Sequence, residues 1–386
     1  MTADPPNVNT LWGRALVEEL AAAGISAVCH APGSRSTPLT LAFVEHEAVT
    51  VLSHLDERSA AYFALGRAKR TGEPTAIVTT SGTAAANLHP AVVEGHHSRT
   101  PLVVLTADRP PELHDSGANQ TIDQDGLYGD AVRYDRTLPE PEADARKLRS
   151  LRVATDRAVS ASTRVPAGPV HLNVPFRKPL EPTPVEGDVP EGFENDAPLA
   201  ATGRPGGFVS TTRGRPTLSD DEVGGHAETI ETAERGLVVA GPADPVDLAA
   251  GAPAAVAELA AAAGFPLLAD PLSGARFGPL LESTTVCGGY DSYLGTDAVA
   301  DWPDPDLVLR VGASPTSQAL QDYLAGTGAT QLLVDPAGDW REATFTATDV
   351  VEADPGWLAD ALAGRVDAAD DGSDEWLDRF RRAEAA

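Results

Sequence analysis

Short apolar runs alternate with amphipathic or alanine-rich segments along the first 180 residues, and this alternation predicts strands followed by helices. The predicted strands are Ile25–His30, Val49–Leu52, Thr75–Thr80, Pro101–Thr106 and Val170–Val174. The predicted helices are Thr10–Ala23, with Asn9 or Thr10 as its N-cap and Gly24 at its end, then Ala60–Ala68 and Ala84–His97. Strands and helices alternating at this spacing predict βαβ units and a parallel sheet.

The alternation returns in the second half of the chain and predicts another parallel α/β domain. Its predicted strands are Gly236–Ala240, Phe265–Ala269, Asp306–Val311 and Gln331–Val334, with a helix over Val246–Ala263 and a capping box from Ser219 to Glu222. We therefore expect a first domain at 1–180, a linker rich in Pro, Gly and acidic residues at 181–215, a middle domain at 216–366, and an acidic tail with a terminal helix at 367–386.

The most informative position is Glu57, which follows the apolar run Val49–Leu52 and precedes a predicted helix. A parallel sheet keeps its ligands at such strand-to-helix junctions. A partly desolvated carboxylate there has a raised pKa and can exchange a proton with a ligand. The alternative is that Glu57 is only an acidic residue favoured by the helix dipole.

Further polar side chains follow the other predicted strands and converge on the same crevice. They are Ser34, Arg35, Ser81, Thr83, Arg109, Asn119 and Gln120. Two arginines beside strand ends suit a ligand that carries carboxylates, which guanidinium groups bind in bidentate fashion. Each group has a structural alternative: a Pro-Gly turn, a helix N-cap, surface arginines or ordinary loop amides.

Five motifs in the first domain carry a resemblance to a known family. They are Pro32–Leu39 (PGSRSTPL), Asp56–Ser59 (DERS), Thr80–Ala84 (TSGTA), Leu105–Leu113 (LTADRPPEL) and Gly117–Ile122 (GANQTI). Their order and spacing resemble the 2-succinyl-5-enolpyruvyl-6-hydroxy-3-cyclohexene-1-carboxylate (SEPHCHC) synthases, thiamin-diphosphate enzymes of menaquinone biosynthesis. The second half is similar more loosely, through Arg235–Pro242, Leu268–Gly274 and Gly312–Ser317.

The resemblance implies a fold, a reaction and roles for these residues. The fold is the thiamin-diphosphate-binding fold, with a pyrimidine-binding domain before a Rossmann-like middle domain. Glu57 matches the catalytic glutamate that hydrogen-bonds the aminopyrimidine ring, and Ser81, Gly82 and Thr83 match cofactor-binding positions. The family decarboxylates 2-oxoglutarate and adds the resulting four-carbon unit to isochorismate. Ser34, Arg35, Arg109, Asn119 and Gln120 match its substrate-binding positions, and a homo-oligomer is implied.

The resemblance also implies a third domain with a Gly-Asp-Gly motif and a later Asn, which hold Mg²⁺ or Mn²⁺ and the diphosphate. The 386 residues contain no Gly-Asp-Gly triplet, and Asp370–Asp374 is acidic but linker-like. We therefore expect no metal site in this chain, and metal and diphosphate ligands on a missing domain or a partner chain. Three alternatives stay open: a split or truncated synthase, another thiamin-diphosphate decarboxylase component, or a non-catalytic regulatory module. A regulatory anion site at Arg276 and Arg310 in the middle domain also stays open.

Composition indicates the setting in which the chain works. The 57 Asp and Glu against 29 Lys and Arg give a formal net charge of −28, and only Lys69, Lys147 and Lys178 are lysines. This balance is typical of proteins that stay soluble in high salt, and it argues against nucleic-acid binding. A hydrophobic content of 42% excludes an acidic disordered protein. Two distant cysteines, no signal peptide and no apolar run near ~20 residues predict a cytoplasmic protein without a membrane span.

Overall fold

The structure, a computed structural model, describes residues 4–278, 284–366 and 373–386. The chain divides into two compact units, Met1–Arg213 and Gly214–Ala386. Each unit is built around one six-stranded, entirely parallel sheet. This confirms the prediction of two parallel α/β arrangements.

The sheet of the first unit contains all five predicted strands and one more. In chain order its strands are Ala27–His30 (β1), Thr50–Ser53 (β2), Thr75–Thr79 (β3), Leu102–Asp108 (β4), Asp135–Thr137 (β5) and Pro169–Pro175 (β6). Their spatial order is β2-β1-β3-β4-β6-β5. The prediction that the run at 49–52 is a buried strand was wrong in one respect, because β2 lies at the sheet edge and its outer residues are exposed.

Eight helices accompany this sheet in the described part of the first unit. They are Val8–Ala22 (α1), Thr37–Glu45 (α2), Glu57–Thr71 (α3), Thr83–Ala86 (α4), His89–His97 (α5), Ala145–Thr163 (α6), Phe193–Asp196 (α7) and Pro198–Ala201 (α8). Helix α1 begins earlier than predicted because Asn7, not Asn9 or Thr10, is the N-cap and accepts a hydrogen bond from Thr10 N at 2.9 Å.

One other prediction for the first unit needs correction. The single helix predicted over Ala84–His97 is two helices, because Pro90 lies in the first turn of α5 and favours a fresh helix start. The segment at 181–215, predicted to be a linker rich in Pro, Gly and acidic residues, contains the short helices α7 and α8.

Both faces of the first sheet are covered, as a doubly wound fold requires. On one face, Trp12 and Leu16 of α1 and Leu151 of α6 pack in a core that includes Val28 of β1. On the other face, Ala64 of α3 and Val92 of α5 belong to a core that includes Cys29 and Ile77. Because both faces are buried, the open part of the sheet is the edge where the strands end, and the candidate site lies there.

The second unit repeats the architecture with a different strand order. Its strands are Gly236–Ala240 (β7), Leu267–Ala269 (β8), Val286–Cys287 (β9), Leu307–Val311 (β10), Thr330–Val334 (β11) and Asp349–Val351 (β12). The spatial order is β12-β11-β10-β7-β8-β9, so the order reverses between β7 and β10. The four predicted strands are confirmed with boundaries shifted by up to two residues, and β9 and β12 were not predicted.

The helices of the second unit lie on both faces of this sheet. They are Asp220–Thr232 (α9), Pro245–Ala249 (α10), Ala252–Ala262 (α11), Tyr290–Tyr293 (α12), Gln318–Gly326 (α13), Pro355–Ala363 (α14) and Ser373–Ala385 (α15). The predicted capping box is confirmed, since Ser219 and Glu222 bond each other's backbone at the start of α9. The helix predicted over Val246–Ala263 is interrupted because Gly251 takes a left-handed conformation with φ +85°.

Part of the predicted acidic tail falls at residues 367–372, which lie outside the described residues, while α15 covers the rest. None of the helices in the described ranges is long and apolar enough to cross a bilayer.

Candidate active site

The strand order of the first sheet reverses between β1 and β3, and the loops after these two strands begin the site. After β1 the chain forms a 3₁₀ turn at Ser34–Ser36, and Gly33 in front of it packs tightly on Thr80. A Cβ at Gly33 would lie 2.5 Å from the Thr80 Cβ, so only glycine fits. Thr80 Oγ1 also accepts a hydrogen bond from Arg35 N at 3.3 Å. The two loops are therefore locked together at the switch point.

Arg35 is a buried arginine whose hydrogen-bonding capacity is only partly used. Its side chain is 7% exposed, and Nη1 donates to the carbonyl oxygen of Phe176 at 2.7 Å. Its Nε has no partner among the described residues. Burial and then the neighbouring Arg109 lower the pKa of Arg35, while Asp108 acts in the opposite direction. An incompletely paired buried cation is costly, and an anionic ligand would relieve that cost.

Asp108, at the end of β4, accepts hydrogen bonds from the loop after β4 and from β6. It is completely buried, and its Oδ1 accepts from Arg109 N at 2.7 Å while Oδ2 accepts from Asn173 Nδ2 at 2.8 Å. The Nε2 atom of His114 lies 3.3 Å from the same Oδ2. Phe176, which accepts from Arg35 Nη1, donates its own N–H to the carbonyl oxygen of Asp108 at 3.0 Å. Arg35 and Arg109 therefore both lie at the adjoining ends of β4 and β6.

The loop after β4 folds back so that four predicted residues form two contacts. Arg109 donates through Nε to the carbonyl oxygen of Asn119 at 2.7 Å, and its Nη2 bonds the same oxygen. Ser81 and Gln120 bond each other reciprocally at 3.1 Å, each side chain to the other's carbonyl oxygen. The guanidinium of Arg109 therefore shapes the loop that carries Asn119 and Gln120, and both of these side chains are exposed for a ligand.

Gly82 forms a turn that requires glycine. Its φ is +83°, and a Cβ there would meet the Gln120 side chain at 3.0 Å. Its N–H is already used, since it donates to Gln124 Oε1 at 2.8 Å. Ser81 is buried, while Thr83 is exposed at the start of the four-residue helix α4. This turn can therefore contact a flat ring by its shape, but Gly82 does not offer it a free backbone donor.

Glu57 is the first residue of α3, directly after the N-cap Asp56, whose Oδ1 accepts from Ser59 N at 2.8 Å. The side chain is half-buried, and its carboxylate makes no hydrogen bond or ion pair to another residue in the described part of the chain. Glu57 is also an acidic residue in the first turn of a helix, where the helix dipole favours a negative charge, so the structural alternative holds as well. A free carboxylate at this strand-to-helix junction suits a ligand that offers a ring nitrogen.

Three large apolar side chains close to Glu57 in the sequence are exposed to solvent. Leu55 is 99% exposed, and Tyr62 and Phe63 of α3 are 44% and 48% exposed. Exposed apolar side chains of this size can contribute to an interaction surface.

The structure also shows polar groups that the sequence analysis missed. His30, the last residue of β1, is 8% exposed, and its Nδ1 has no partner among the described residues. Burial and then His54 lower the pKa of His30. Gln124 and Asn173 are each 1% exposed and bond the Gly82 turn and Asp108 respectively. Only His30 had a visible signal, since it ends a predicted strand two residues before the Pro32–Leu39 motif; Gln124 and Asn173 are isolated polar residues without a pattern.

The contacts connect most of the predicted site residues but not all. Gly82 is connected to Arg109 and Asn119 by hydrogen bonds through Gln124, Asn173 and Asp108. Ser81 and Gln120 bond each other beside this series, and Arg35 bonds Thr80, the residue before Ser81. Within the described ranges, no hydrogen bond joins Ser34, Glu57 or Thr83 side chains to these residues. Across residues 4–278, 284–366 and 373–386 no group of three or more His, Cys, Asp or Glu side chains is arranged to hold a metal ion.

The chain is similar in sequence to a family of thiamine pyrophosphate enzymes and to two SEPHCHC synthases. Residues 12–127 match the family model described as "Thiamine pyrophosphate enzyme, N-terminal TPP binding domain". The chain is 57% identical over 381 residues, 99% of its length, to the SEPHCHC synthase of Haloquadratum walsbyi. It is 60% identical over 388 residues, 100% of its length, to that of Halobacterium salinarum. These alignments cover 60% and 64% of the two relatives, so the chain spans less than two thirds of their length.

A solved structure confirms the fold class. The thiamine diphosphate-dependent 4-hydroxybenzoylformate decarboxylase of Rhodococcus jostii RHA1 is similar with a TM-score of 0.65 at 21% identity. The similarity covers 93% of this chain and 63% of that one. At this identity the likeness concerns the fold alone, and it agrees with the predicted thiamin-diphosphate-binding fold.

Proposed function

We propose that this chain, a homologue of the SEPHCHC synthases along nearly its whole length, is the pyrimidine-binding and substrate-binding part of such an enzyme. The reaction we propose for the complete enzyme is decarboxylation of 2-oxoglutarate and addition of the four-carbon unit to isochorismate. The observation that carries the proposal is the buried Arg35, whose Nε is unpaired among the described residues. A cation held in this state, with Arg109 beside it, calls for an anionic ligand.

The substrate side of the proposal follows from charge and geometry. Both proposed substrates are dicarboxylates, and two adjacent guanidinium groups match them. Arg35 is anchored by its bond to Phe176, so its remaining donor direction is fixed before a ligand arrives. Arg109 shapes the loop that presents Asn119 and Gln120, and Ser34 is exposed in the turn before Arg35. We assign these five residues to substrate binding.

The cofactor side of the proposal rests on Glu57 and the turn at Ser81–Thr83. Thiamin diphosphate, when bound, supplies the carbanion chemistry that decarboxylation of a 2-oxo acid requires. Glu57 would hold a proton at the pyrimidine ring, because its carboxylate is half-buried and free of other partners in the described chain. The Gly82 turn would contact the ring by shape, since its φ of +83° leaves no room for a side chain.

We further propose that the diphosphate and its Mg²⁺ or Mn²⁺ are held by residues that these 386 do not include, on a further segment or a partner chain. The sequence has no Gly-Asp-Gly triplet, and oxygen ligands of that kind are what a divalent cation on a diphosphate needs. The exposed apolar residues Leu55, Tyr62 and Phe63, of which Leu55 lies two positions before Glu57, offer a surface for the part that carries those ligands. A homo-oligomer would use the same surface.

The proposal is tested by calorimetry on the purified chain with Mg²⁺ and thiamin diphosphate. We expect no tight binding by this chain alone, because most of the ionic attraction comes from the diphosphate and its metal. A partner that carries the Gly-Asp-Gly site should restore cofactor affinity and synthase activity together. Micromolar binding by the lone chain would contradict the proposed division of the site.

We also propose that the chain works in the cytoplasm at high salt, which its net charge of −28 and three lysines favour. Its two thiols, Cys29 and Cys287, are free and buried, and burial raises their pKa to about 11 and about 12. The measurement is the free energy of unfolding against KCl concentration, which should rise steeply up to molar salt.

A further inference from the structure

Gln124 is a buried carboxamide whose orientation is fixed by its partners. Its Oε1 accepts from Gly82 N at 2.8 Å, and its Nε2 donates to Asn173 Oδ1 at 2.8 Å and to the carbonyl oxygen of Ala107 at 3.3 Å. The Gly82 N–H can only donate and the Ala107 carbonyl can only accept, so the amide cannot be reversed. With a side chain only 1% exposed, Gln124 cannot exchange these partners for water.

Asn173, near the end of β6, continues the connection. Its Oδ1 accepts from Gln124 and from Thr106 Oγ1 at 2.8 Å, and its Nδ2 donates to Asp108 Oδ2 at 2.8 Å. Asp108 in turn accepts from Arg109 N at 2.7 Å. The side chains of Gln124, Asn173 and Asp108 thus form one buried hydrogen-bonded chain, which begins at the Gly82 turn and ends at Arg109.

This series of hydrogen-bonded side chains joins two parts of the site for which we propose different ligands. Gly82 lies in the turn proposed to contact the cofactor, and Arg109 lies on the substrate side. Glycine adopts the φ of +83° at Gly82 without strain, so this φ alone does not fix the turn, and the hydrogen bond from its N–H to Gln124 contributes to its position. In a buried network fully paired in this way, the loss of one member leaves its partners without a substitute.

We propose that Gln124 is a positioning residue that, with Asn173, couples the cofactor-side turn to the substrate-side arginine. The inference rests on the proposed function for the identity of the two ligands, but the coupling itself is a property of this chain. Gln124 touches neither ligand; it sets the backbone at Gly82 and, through Asn173 and Asp108, the backbone at Arg109.

The first test uses the full chain without cofactor, in molar salt. Amide hydrogen exchange at Gly82 should become about tenfold faster in Gln124→Met, since a methionine keeps the length of the side chain and loses its hydrogen bonds. Asn173→Leu should accelerate exchange at Gly82 and at Arg109. Should Gln124→Met not fold, Gln124→Asn, which retracts the amide by one methylene, should show the same change at Gly82.

A matched control is available in the second unit. Gln331 is also 1% exposed, and its amide likewise donates to a backbone carbonyl, that of Leu324, and accepts from a side chain, that of Arg310. Gln331→Met should lose stability but leave exchange at Gly82 and Arg109 at the wild-type rate. Unchanged exchange at Gly82 in Gln124→Met, or an increase no larger than in Gln331→Met, would overturn the proposal.

The second test uses the chain together with the partner that completes the diphosphate site. Gln124→Met should raise both the cofactor concentration for half-saturation and the KM for 2-oxoglutarate, with a smaller change in kcat. A change in only one of the two constants would contradict coupling. If the wild-type complex has no activity, the proposed function fails and the exchange experiment still decides whether Gln124 positions the turn.

Discussion

The chain contains two parallel six-stranded sheets, and they differ in what each leaves unpaired where its strand order reverses. In the first sheet, the loops after β1 and β3 enclose Arg35 and His30, which are more than nine-tenths buried and each keep a nitrogen without a partner in the described chain. In the second sheet, backbone groups fill the corresponding place. Gly241 N donates to Val311 O at 2.9 Å and Ala313 N to Pro242 O at 2.8 Å.

The backbone contact in the second sheet holds the two loops together, and the small cavity beside them, lined among others by Gly241, Val256 and Gly312, is largely apolar. A Cβ at Gly241 would lie 1.8 Å from the carbonyl oxygen of Ala313. The charged groups nearby are also satisfied internally: Asp270 accepts from Leu272 N and from the backbone and hydroxyl of Thr316. Both edges are placed where α/β sheets bind ligands. Among the described residues, the first edge keeps unpaired nitrogens on a buried arginine and a buried histidine, whereas the second keeps the unpaired hydroxyl of Ser314. A buried cation with an unused donor, more than position in the fold, therefore marks the first edge as the candidate binding edge.

Among variants that test the difference between the two sheets, we expect the largest loss of function at Glu57. Glu57→Gln should keep the fold and lower exchange of the cofactor C2 proton in the completed enzyme by about 10²–10⁴-fold, because the amide cannot hold the proton at the pyrimidine ring. NMR of the thiazolium proton in deuterated buffer of molar salt measures it. Glu47→Gln, at an exposed position, is the control. Wild-type exchange in Glu57→Gln would remove this residue from its proposed role.

The second sheet should respond in stability and not in ligand binding. Arg310 and Glu342 are both 3% exposed and lie 3.3 Å apart. Burial opposes the charge of Glu342, but hydrogen bonds from Thr344 and Thr346, together with Arg310, lower its pKa below the ordinary value. Arg310→Met should cost about 3–5 kcal/mol of unfolding free energy, because it leaves a buried carboxylate without its cation.

Denaturation in molar salt measures the effect of Arg310→Met, and the double variant with Glu342→Gln should recover part of the loss. Cofactor and substrate constants of the completed enzyme should stay at wild-type values. If Arg310→Met changed those constants while the unit remained folded, the second sheet would have a ligand role that its internal pairing does not indicate.

The third prediction concerns the unpaired cation itself. Arg35→Ala should weaken the use of at least one anionic substrate by about 2–5 kcal/mol, since a charged donor in a desolvated site is lost. Arg109→Ala should have a smaller effect on direct binding, because its guanidinium is engaged with Asn119. Steady-state kinetics with both substrates measure these changes, and Arg146→Ala, an exposed arginine of α6, is the control. Near-wild-type constants in both variants would refute the anion-binding role.

How far the sequence predicts this molecule depends on whether local pattern or long-range contact decides each feature. Strands β3 and β4 are continuous apolar runs and were predicted, because a buried strand must be apolar on both faces. Strand β5 (Asp-Arg-Thr) was not predicted; its polar residues become a strand only by pairing with β6. The break in the helix predicted at 84–97 depends on Pro90, a signal that was present and overlooked.

The same distinction applies to the site. Arg35 and Arg109 could be predicted because they follow strands within recognisable motifs, and the structure places both at the adjoining ends of β4 and β6. Gln124 and Asn173 could not, since they lie in different elements and acquire their role only when β4 and β6 pair and the loop after β4 folds back. Single buried polar residues have no periodicity, so their partners become apparent only in three dimensions.

The smallest effect that we predict is a pH dependence of stability caused by a pair of buried carboxylates in the first unit. Asp156 of α6 is 6% exposed and Glu19 of α1 is 2% exposed. Asp156 accepts a hydrogen bond from Val209 N at 2.6 Å, and Glu19 accepts one from the adjacent Phe208 N. Arg152 forms an ion pair with Glu19 at 2.9 Å. Burial and then the Glu19 carboxylate raise the pKa of Asp156 to about 6, from an ordinary value of 3.8.

A raised pKa means that the folded state holds the Asp156 proton more tightly than the unfolded state does. This contribution to stability is fully present below pH 3.8 and is lost as the pH rises through about 6. From pH 4 to pH 7 we expect wild type to lose on the order of 2–3 kcal/mol of unfolding free energy relative to Asp156→Asn, whose amide stays neutral. Denaturation of both proteins across this pH range in molar salt measures the difference, which cancels the contributions of the other carboxylates. Asp196→Asn, at an exposed position, should run parallel to wild type. Parallel curves for wild type and Asp156→Asn would show that Asp156 does not hold a proton more tightly in the folded state than in the unfolded state.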